Sequence, residues 1–323
     1  MPPETTTVSP KDLPPIRRSD RVRARVIRVM FPIVFGLRSL RREVEFATKK
    51  ITRPHRISIP TRHGRIRALV YAPTPEDLAG LARQGRRPPV HLLIHAGGFI
   101  IRSAWQEGNV ARYIASEQGT VVIVPDYDTT PKVRWPVAEE ESYDTYRWIL
   151  DNGADHGWDT SRVTIGGASA GSKIAMSVVA LAIDDGVPTP IALTSAYGVA
   201  DLSRPDEGRT SPLERPFISA DLMRLVRNTY FLGVDLTDPG VSVALHPRLP
   251  DFPPTLILTG ELDAVRHEMN EFAANLIGLG VEVTHRQFPG VDHGFTHTRP
   301  VEIAREAILS IGDHLRRAHD SIR

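Results

Sequence analysis

Hydrophobic and polar positions group into short blocks along most of this chain, and the blocks change period in a regular way. Residues 56–60 and 66–71 read as two strands joined by a turn at His63-Gly64. Residues 73–89, with Pro and Gly at both ends, read as a loop. Strand 90–94, helix 109–118, strand 121–125 and helix 138–152 follow. Val163-Thr164-Ile165-Gly166 reads as a buried strand, and 173–183 is apolar enough for a mostly buried helix. Strand 191–196 leads into an irregular stretch of about 201–240, with one helix near 220–231. Strand 255–259, helix 268–279, strand 281–288 and helix 300–317 complete the pattern. Strands that alternate with helices imply parallel crossovers, hence a doubly wound, mostly parallel sheet with helices on both faces. An insertion as long as 201–240 after a strand end suits a lid. No internal repeat is visible.

The N-terminal segment has a different pattern. Residues 1–20 are rich in Pro and Thr, and their start reads as disordered. From about 21 to 50, Val22, Val26, Val29, Ile33 and Leu37 recur at helical spacing among arginines, interrupted at Pro32 and Gly36. Residues 1–56 hold 14 Lys and Arg against 5 Asp and Glu, so a basic arm of +9 precedes a body of −7 inside a net charge of +2. One reading is an amphipathic segment lying on an anionic membrane. The favoured reading is a cap helix with solvated or paired arginines. No motif supports nucleic-acid binding.

Composition narrows the classes further. With 323 residues, 41% hydrophobic and 24% charged, the chain can bury a large globular core. The absence of cysteine excludes disulfides, thiolate metal sites and a cysteine nucleophile. No stretch approaches the roughly 18 apolar residues of a membrane span. No secretory signal is visible, so a cytoplasmic location with some peripheral membrane contact is expected.

Candidate chemistry centres on Gly167-Ala168-Ser169-Ala170-Gly171, which fills the turn between the strand at 163–166 and the helix at 173–183. Small neighbours let such a turn adopt strained angles, lift the serine hydroxyl out at the carboxyl edge of the sheet, and aim a helix N-terminus at it. A serine needs a base, and the base needs an orienting carboxylate. In a doubly wound sheet both should come from loops at strand carboxyl ends. Asp263 lies four residues beyond strand 255–259, and His293 lies beyond strand 281–288. Of the 12 histidines, only His293 and His297 occupy that loop, and His293 is flanked by glycines. Asp251 precedes its strand and Asp292 adjoins the histidine, so Asp263 is preferred. The order Ser, Asp, His is that of α/β hydrolases. Gly97 and Gly98, after strand 90–94, together with Ala170 would offer backbone N–H groups to a developing oxyanion.

Five ordered blocks carry a family resemblance across about residues 65–317. They are His95-Ala96-Gly97-Gly98, Asp126-Tyr127-Asp128-Thr129-Thr130-Pro131-Lys132, the serine turn through Ser172, Gly260-Glu261-Leu262-Asp263, and Pro289-Gly290-Val291-Asp292-His293-Gly294-Phe295. The chain resembles the hormone-sensitive-lipase-like family of α/β hydrolases, which includes many bacterial carboxylesterases. The resemblance implies an α/β-hydrolase fold with a helical cap. It implies the nucleophile Ser169, the acid Asp263, the base His293, the oxyanion donors Gly97, Gly98 and Ala170, and His95 as motif support. It also implies that an N-terminal helical segment forms part of the cap. Ala96 and Ala168 replace a motif glycine and a motif acid, and Asp128 and Lys132 exchange the signs of a family Arg and Glu.

The expected division is therefore 1–55 as basic arm and cap helix, and 56–323 as catalytic domain with a cap insertion at about 201–240. The expected activity is hydrolysis of short- to medium-chain acyl esters, with no cofactor and no metal. Amide or formamide hydrolysis on the same machinery, or a catalytically silent ligand-binding relative, are the alternatives. The expected partners are a small-molecule ester, no nucleic acid, a weak contact of residues 21–50 with a membrane surface, and a second copy of the chain.

Overall fold

The computed structural model describes residues 14–38 and 43–322. One eight-stranded sheet runs in the order β1-β2-β4-β3-β5-β6-β7-β8. Its strands are β1 His55–Thr61, β2 Gly64–Tyr71, β3 Pro89–Ile94, β4 Val121–Pro125, β5 Asp159–Ala168, β6 Leu193–Ala196, β7 Thr255–Gly260 and β8 Val283–Phe288. Strand β2 is antiparallel to both its neighbours, β1 and β4, and all other adjacent pairs are parallel. This is the mostly parallel sheet that the alternating pattern predicts.

The period-two alternation of the strands sorts side chains onto two faces. Val121 and Ile123 of β4 join one core with Ile149 of α4 (Val137–Asn152), Ile174 of α5 (Ala170–Asp184) and Phe272 of α7 (Arg266–Gly278). Val122 and Val124 join the other with Ile114 of α3 (Gly108–Gln118) and Ile311 of α8 (Val301–Ser321). Helices thus cover both faces, and the carboxyl ends of the parallel strands share one rim.

Two expectations need correction. Residues 73–89 are not all loop, because α2 spans Pro75–Arg83. Thr74 caps it, its hydroxyl oxygen accepting from the Asp77 N–H at 3.0 Å, with Pro75 in the first turn and Glu76 and Asp77 beside the positive end of the dipole. No residue of α2 is buried, and its apolar row of Leu78, Leu81 and Ala82 spans little more than one turn, too short to read as a helix. Helix α1 (Arg18–Arg38) runs through Pro32 and Gly36 without interruption, while residues 43–54 are not helical. Those residues strap the body: Glu43 pairs with Arg299, Glu45 with Arg112, and Lys49 with Asp77. Thr48 adds a hydroxyl bond to Glu117 at 2.9 Å. The expected disordered start lies outside the described residues up to 13, and residues 18–20 form the first turn of α1.

Helix α1 lies against α6 (Ala220–Thr229) of the long insertion. Ala24 is fully buried there, and Arg23 pairs with Asp221 at 2.7 Å. Among the described residues no helix is long and apolar enough to cross a membrane.

Candidate active site

Strand β5 runs directly into α5 through one residue, Ser169, held at φ 54° and ψ −123°. That left-handed conformation is costly for a residue with a Cβ, and the surroundings enforce it. The Ser169 N–H donates to the Ala196 carbonyl at 2.9 Å, locking the turn to the end of β6. A Cβ on Gly171 would lie 2.2 Å from the Ile94 carbonyl oxygen, so only glycine lets α5 approach β3 this closely.

The three residues named from the sequence meet at this turn. His293 Nε2 is 2.7 Å from Ser169 Oγ, and His293 Nδ1 is 2.8 Å from Asp263 Oδ2. Facing a carboxylate, Nδ1 carries the proton, which leaves Nε2 to accept from the serine hydroxyl. Asp263 Oδ1 accepts in addition from the Val265 N–H at 3.1 Å, which fixes the carboxylate plane. All three side chains are buried. Asp292 does not reach the imidazole: its Oδ1 accepts from the His293 backbone N–H at 2.7 Å.

Gly97 and Gly98 form the turn after β3, with φ 149° and 57°. A Cβ on Gly97 would come within 2.5 Å of the Ile101 carbonyl oxygen, so the position admits glycine alone. The Gly97 carbonyl accepts from Ile100 and Ile101, at 3.0 and 2.9 Å, while the Gly97 and Gly98 N–H groups meet no acceptor among the described residues. Ala170 opens α5, where the first amides of a helix have no intrahelical partner. His95 lies behind this turn and away from the serine. Its ring stacks on Tyr127 at 4.2 Å, and its Nδ1–H donates to the Ala96 carbonyl at 2.7 Å. Burial pushes its pKa down, so it is a neutral packing element.

Sequence reading missed the groups that hold this rim. Glu107 is buried, accepting from the Ala96 N–H at 3.2 Å and from His297 Nε2 at 3.1 Å. Burial pushes the Glu107 carboxyl up, but the facing His297, its hydrogen bond and the Ala96 amide outweigh it and hold the group below the usual carboxylate range. Tyr197, at φ 39°, places its ring edge-on to His293 at 5.0 Å and its hydroxyl 2.5 Å from Thr296 Oγ1. Under α5, Lys173 is fully buried and donates to Glu139 at 2.6 Å and to the Gly240 carbonyl at 3.1 Å, while the Tyr230 hydroxyl donates to Glu139 at 2.5 Å. Only spatial proximity reveals these partners, because no local motif links them. The exchanged charges do meet, Lys132 Nζ lying 2.5 Å from Asp128 Oδ2.

The insertion touches both loops of the site. Phe217 stacks on His293 at 5.7 Å and 12°, and its N–H donates to Asp292 Oδ2 at 2.7 Å. The Ser211 hydroxyl donates to the Leu262 carbonyl, next to Asp263, at 2.6 Å. Phe31 of α1 meets Phe217 edge-on at 6.3 Å. Of the other aromatics, Phe99 stacks on Tyr230 and both are buried, while Trp105 lies exposed beneath Arg56. Among the described residues no cluster of three or more His, Cys, Asp or Glu is arranged to hold a metal ion.

Comparison with known proteins agrees with this architecture. A family model described as alpha/beta hydrolase fold matches residues 91–297. The chain is 29% identical to the carboxylesterase NlhH of Mycobacterium tuberculosis over 65% of its own length and 67% of that protein's. It is 27% identical to an ethyl acetate hydrolase of Pseudomonas putida, covering 80% of this chain and 81% of that one. The solved structure of a hyperthermophilic esterase from the archaeon Pyrobaculum calidifontis superposes with a TM-score of 0.81 at 30% identity, over 91% of this chain and 93% of the other. With a fold, a motif order and a matched core that all coincide, the chain belongs to the α/β-hydrolase-fold family, in the hormone-sensitive-lipase-like group that its motifs resemble.

Proposed function

We propose that this protein is a serine carboxylesterase acting on short- to medium-chain acyl esters. The observation that carries the reading is the buried relay from Asp263 through His293 to Ser169, with spacings of 2.8 and 2.7 Å. His293 Nε2 takes the hydroxyl proton as Ser169 Oγ attacks the ester carbonyl. The amides of Gly97, Gly98 and Ala170 receive the oxyanion, and Asp263 stabilises the imidazolium. His293 then gives its proton to the leaving alcohol, and the acyl group remains on Ser169. Water, deprotonated by the same imidazole, attacks the acyl-enzyme, releases the acid and restores the serine.

Helix α1 and residues 201–240 form the cap in this reading. Phe217 lies across the face of the base and narrows the approach, which favours a small acyl group. The names of the relatives, a carboxylesterase and an ethyl acetate hydrolase, support the same class. A fluorophosphonate probe tests the assignment. It should label Ser169 alone, and Ser169→Ala should lose both labelling and, by about 10⁴-fold or more, turnover of p-nitrophenyl butyrate. Labelling of another residue, or turnover that survives the substitution, would refute it.

A further inference from the structure

Helix α1 is amphipathic in an unexpected sense. Its inward side carries Ala24, fully buried, with Asp20 also buried and Ile27 and Phe31 partly so. At roughly 100° per residue, the side opposite Ala24 carries Val22, Val26, Val29 and Met30. These four are 50%, 53%, 62% and 48% exposed, so an apolar stripe of the helix stands open to solvent. A surface helix of a globular protein places charge there instead. Arg18 and Arg25 flank the stripe, both exposed. No carboxylate pairs with them among the described residues, whereas Arg23 on the other flank is held by Asp221.

We propose that this outward face of α1 is a docking surface for an anionic phospholipid bilayer. The valines and Met30 enter the boundary between headgroups and acyl chains, and the unpaired arginines sit at the phosphates. Charge complementarity selects this occupant over a second copy of the chain. Two α1 helices packed through this stripe would bring their arginine rows together, at a cost like that of like-charge pairs elsewhere. A lipid phosphate supplies the counter-charge and accepts the guanidinium fork in two-point fashion. The membrane and cap readings of this segment are then compatible, because they use opposite sides of one helix. Through Phe31 on its inward side and Phe217, the docked helix is two aromatic contacts from the His293 ring.

Co-sedimentation of the full chain with vesicles tests the proposal without reference to catalysis, since labelling of Ser169 reports separately on the active site. The chain should sediment with an equimolar mixture of phosphatidylglycerol and phosphatidylcholine and remain in solution with phosphatidylcholine alone. Val26→Glu with Val29→Glu should reduce binding by about tenfold or more, and Arg18→Gln with Arg25→Gln by about fivefold per charge at low salt. The thermal unfolding midpoint of each variant verifies folding, and the arginine pair tests the proposal should the glutamate pair fail to fold. Equal binding to both vesicle types, or none to either, would overturn the proposal. So would a concentration-dependent dimer in sedimentation velocity that Val26→Glu abolishes, which would assign the face to a second copy.

Discussion

Four residues apart in one loop, two imidazoles meet two buried carboxylates and end in different states. His293 spends Nδ1 on Asp263 and leaves Nε2 directed at Ser169 Oγ, 2.7 Å away. His297 turns its Nε2 inward to Glu107 at 3.1 Å, and the other Glu107 oxygen holds the Ala96 amide at 3.2 Å. The chemistry of the two pairs is alike, and what the carboxylate and far nitrogen face sets their work. The first pair ends on a serine hydroxyl, and in the proposed mechanism it moves a proton to and from substrate. The second ends on the backbone beside Gly97, and in the proposed mechanism it fixes where the oxyanion donors stand.

Substitutions separate the two regions, and the effects should descend in a definite order. Asp263→Asn removes the acceptor that selects the Nδ1–H tautomer, and should lower kcat by about 10⁴ with an unchanged unfolding midpoint. A loss of less than about tenfold would show that His293 works without that carboxylate. Glu107→Gln keeps an acceptor for the Ala96 amide but dissolves the pair with His297. It should lower kcat by about tenfold, less than the 10²–10³ of a lost oxyanion donor, with KM little changed. A loss as deep as that of Asp263→Asn would place Glu107 in the proton path instead. Phe217→Ala strips the ring that stacks on His293 and leaves the Glu107 region untouched. Removal of about 1 kcal/mol of apolar contact predicts a KM about fivefold higher for p-nitrophenyl butyrate, with kcat nearly constant. A collapse of kcat would mean that the ring orients the base.

The contrast also explains what could be read from the residues alone. Ser169 and Asp263 each follow an apolar strand and His293 a more polar one, with glycines marking the turn at Ser169 and His293. Local composition and the rule that ligands gather at strand carboxyl ends therefore suffice. Glu107 and His297 are 190 positions apart. Neither bears a local mark, because a buried pair is defined only by which loops the fold brings together. Lys173 likewise has no local mark, since its partners Glu139 and Gly240 become neighbours through packing. Helix α2 was hidden for a different reason. Its signals are the Thr74 cap and the acidic first turn, but proline and glycine at its borders read as loop punctuation. For α1, hydrophobic period marked a helix but did not say which of its two apolar sides would be covered.

Asp292 lies beside His293 in sequence and grips the amide of Phe217 in the long insertion. Its two oxygens thus divide between the gatekeeping ring and the backbone of His293. The insertion and the loop that carries the imidazole therefore share one anchor, and the charge that holds one segment in register holds the other.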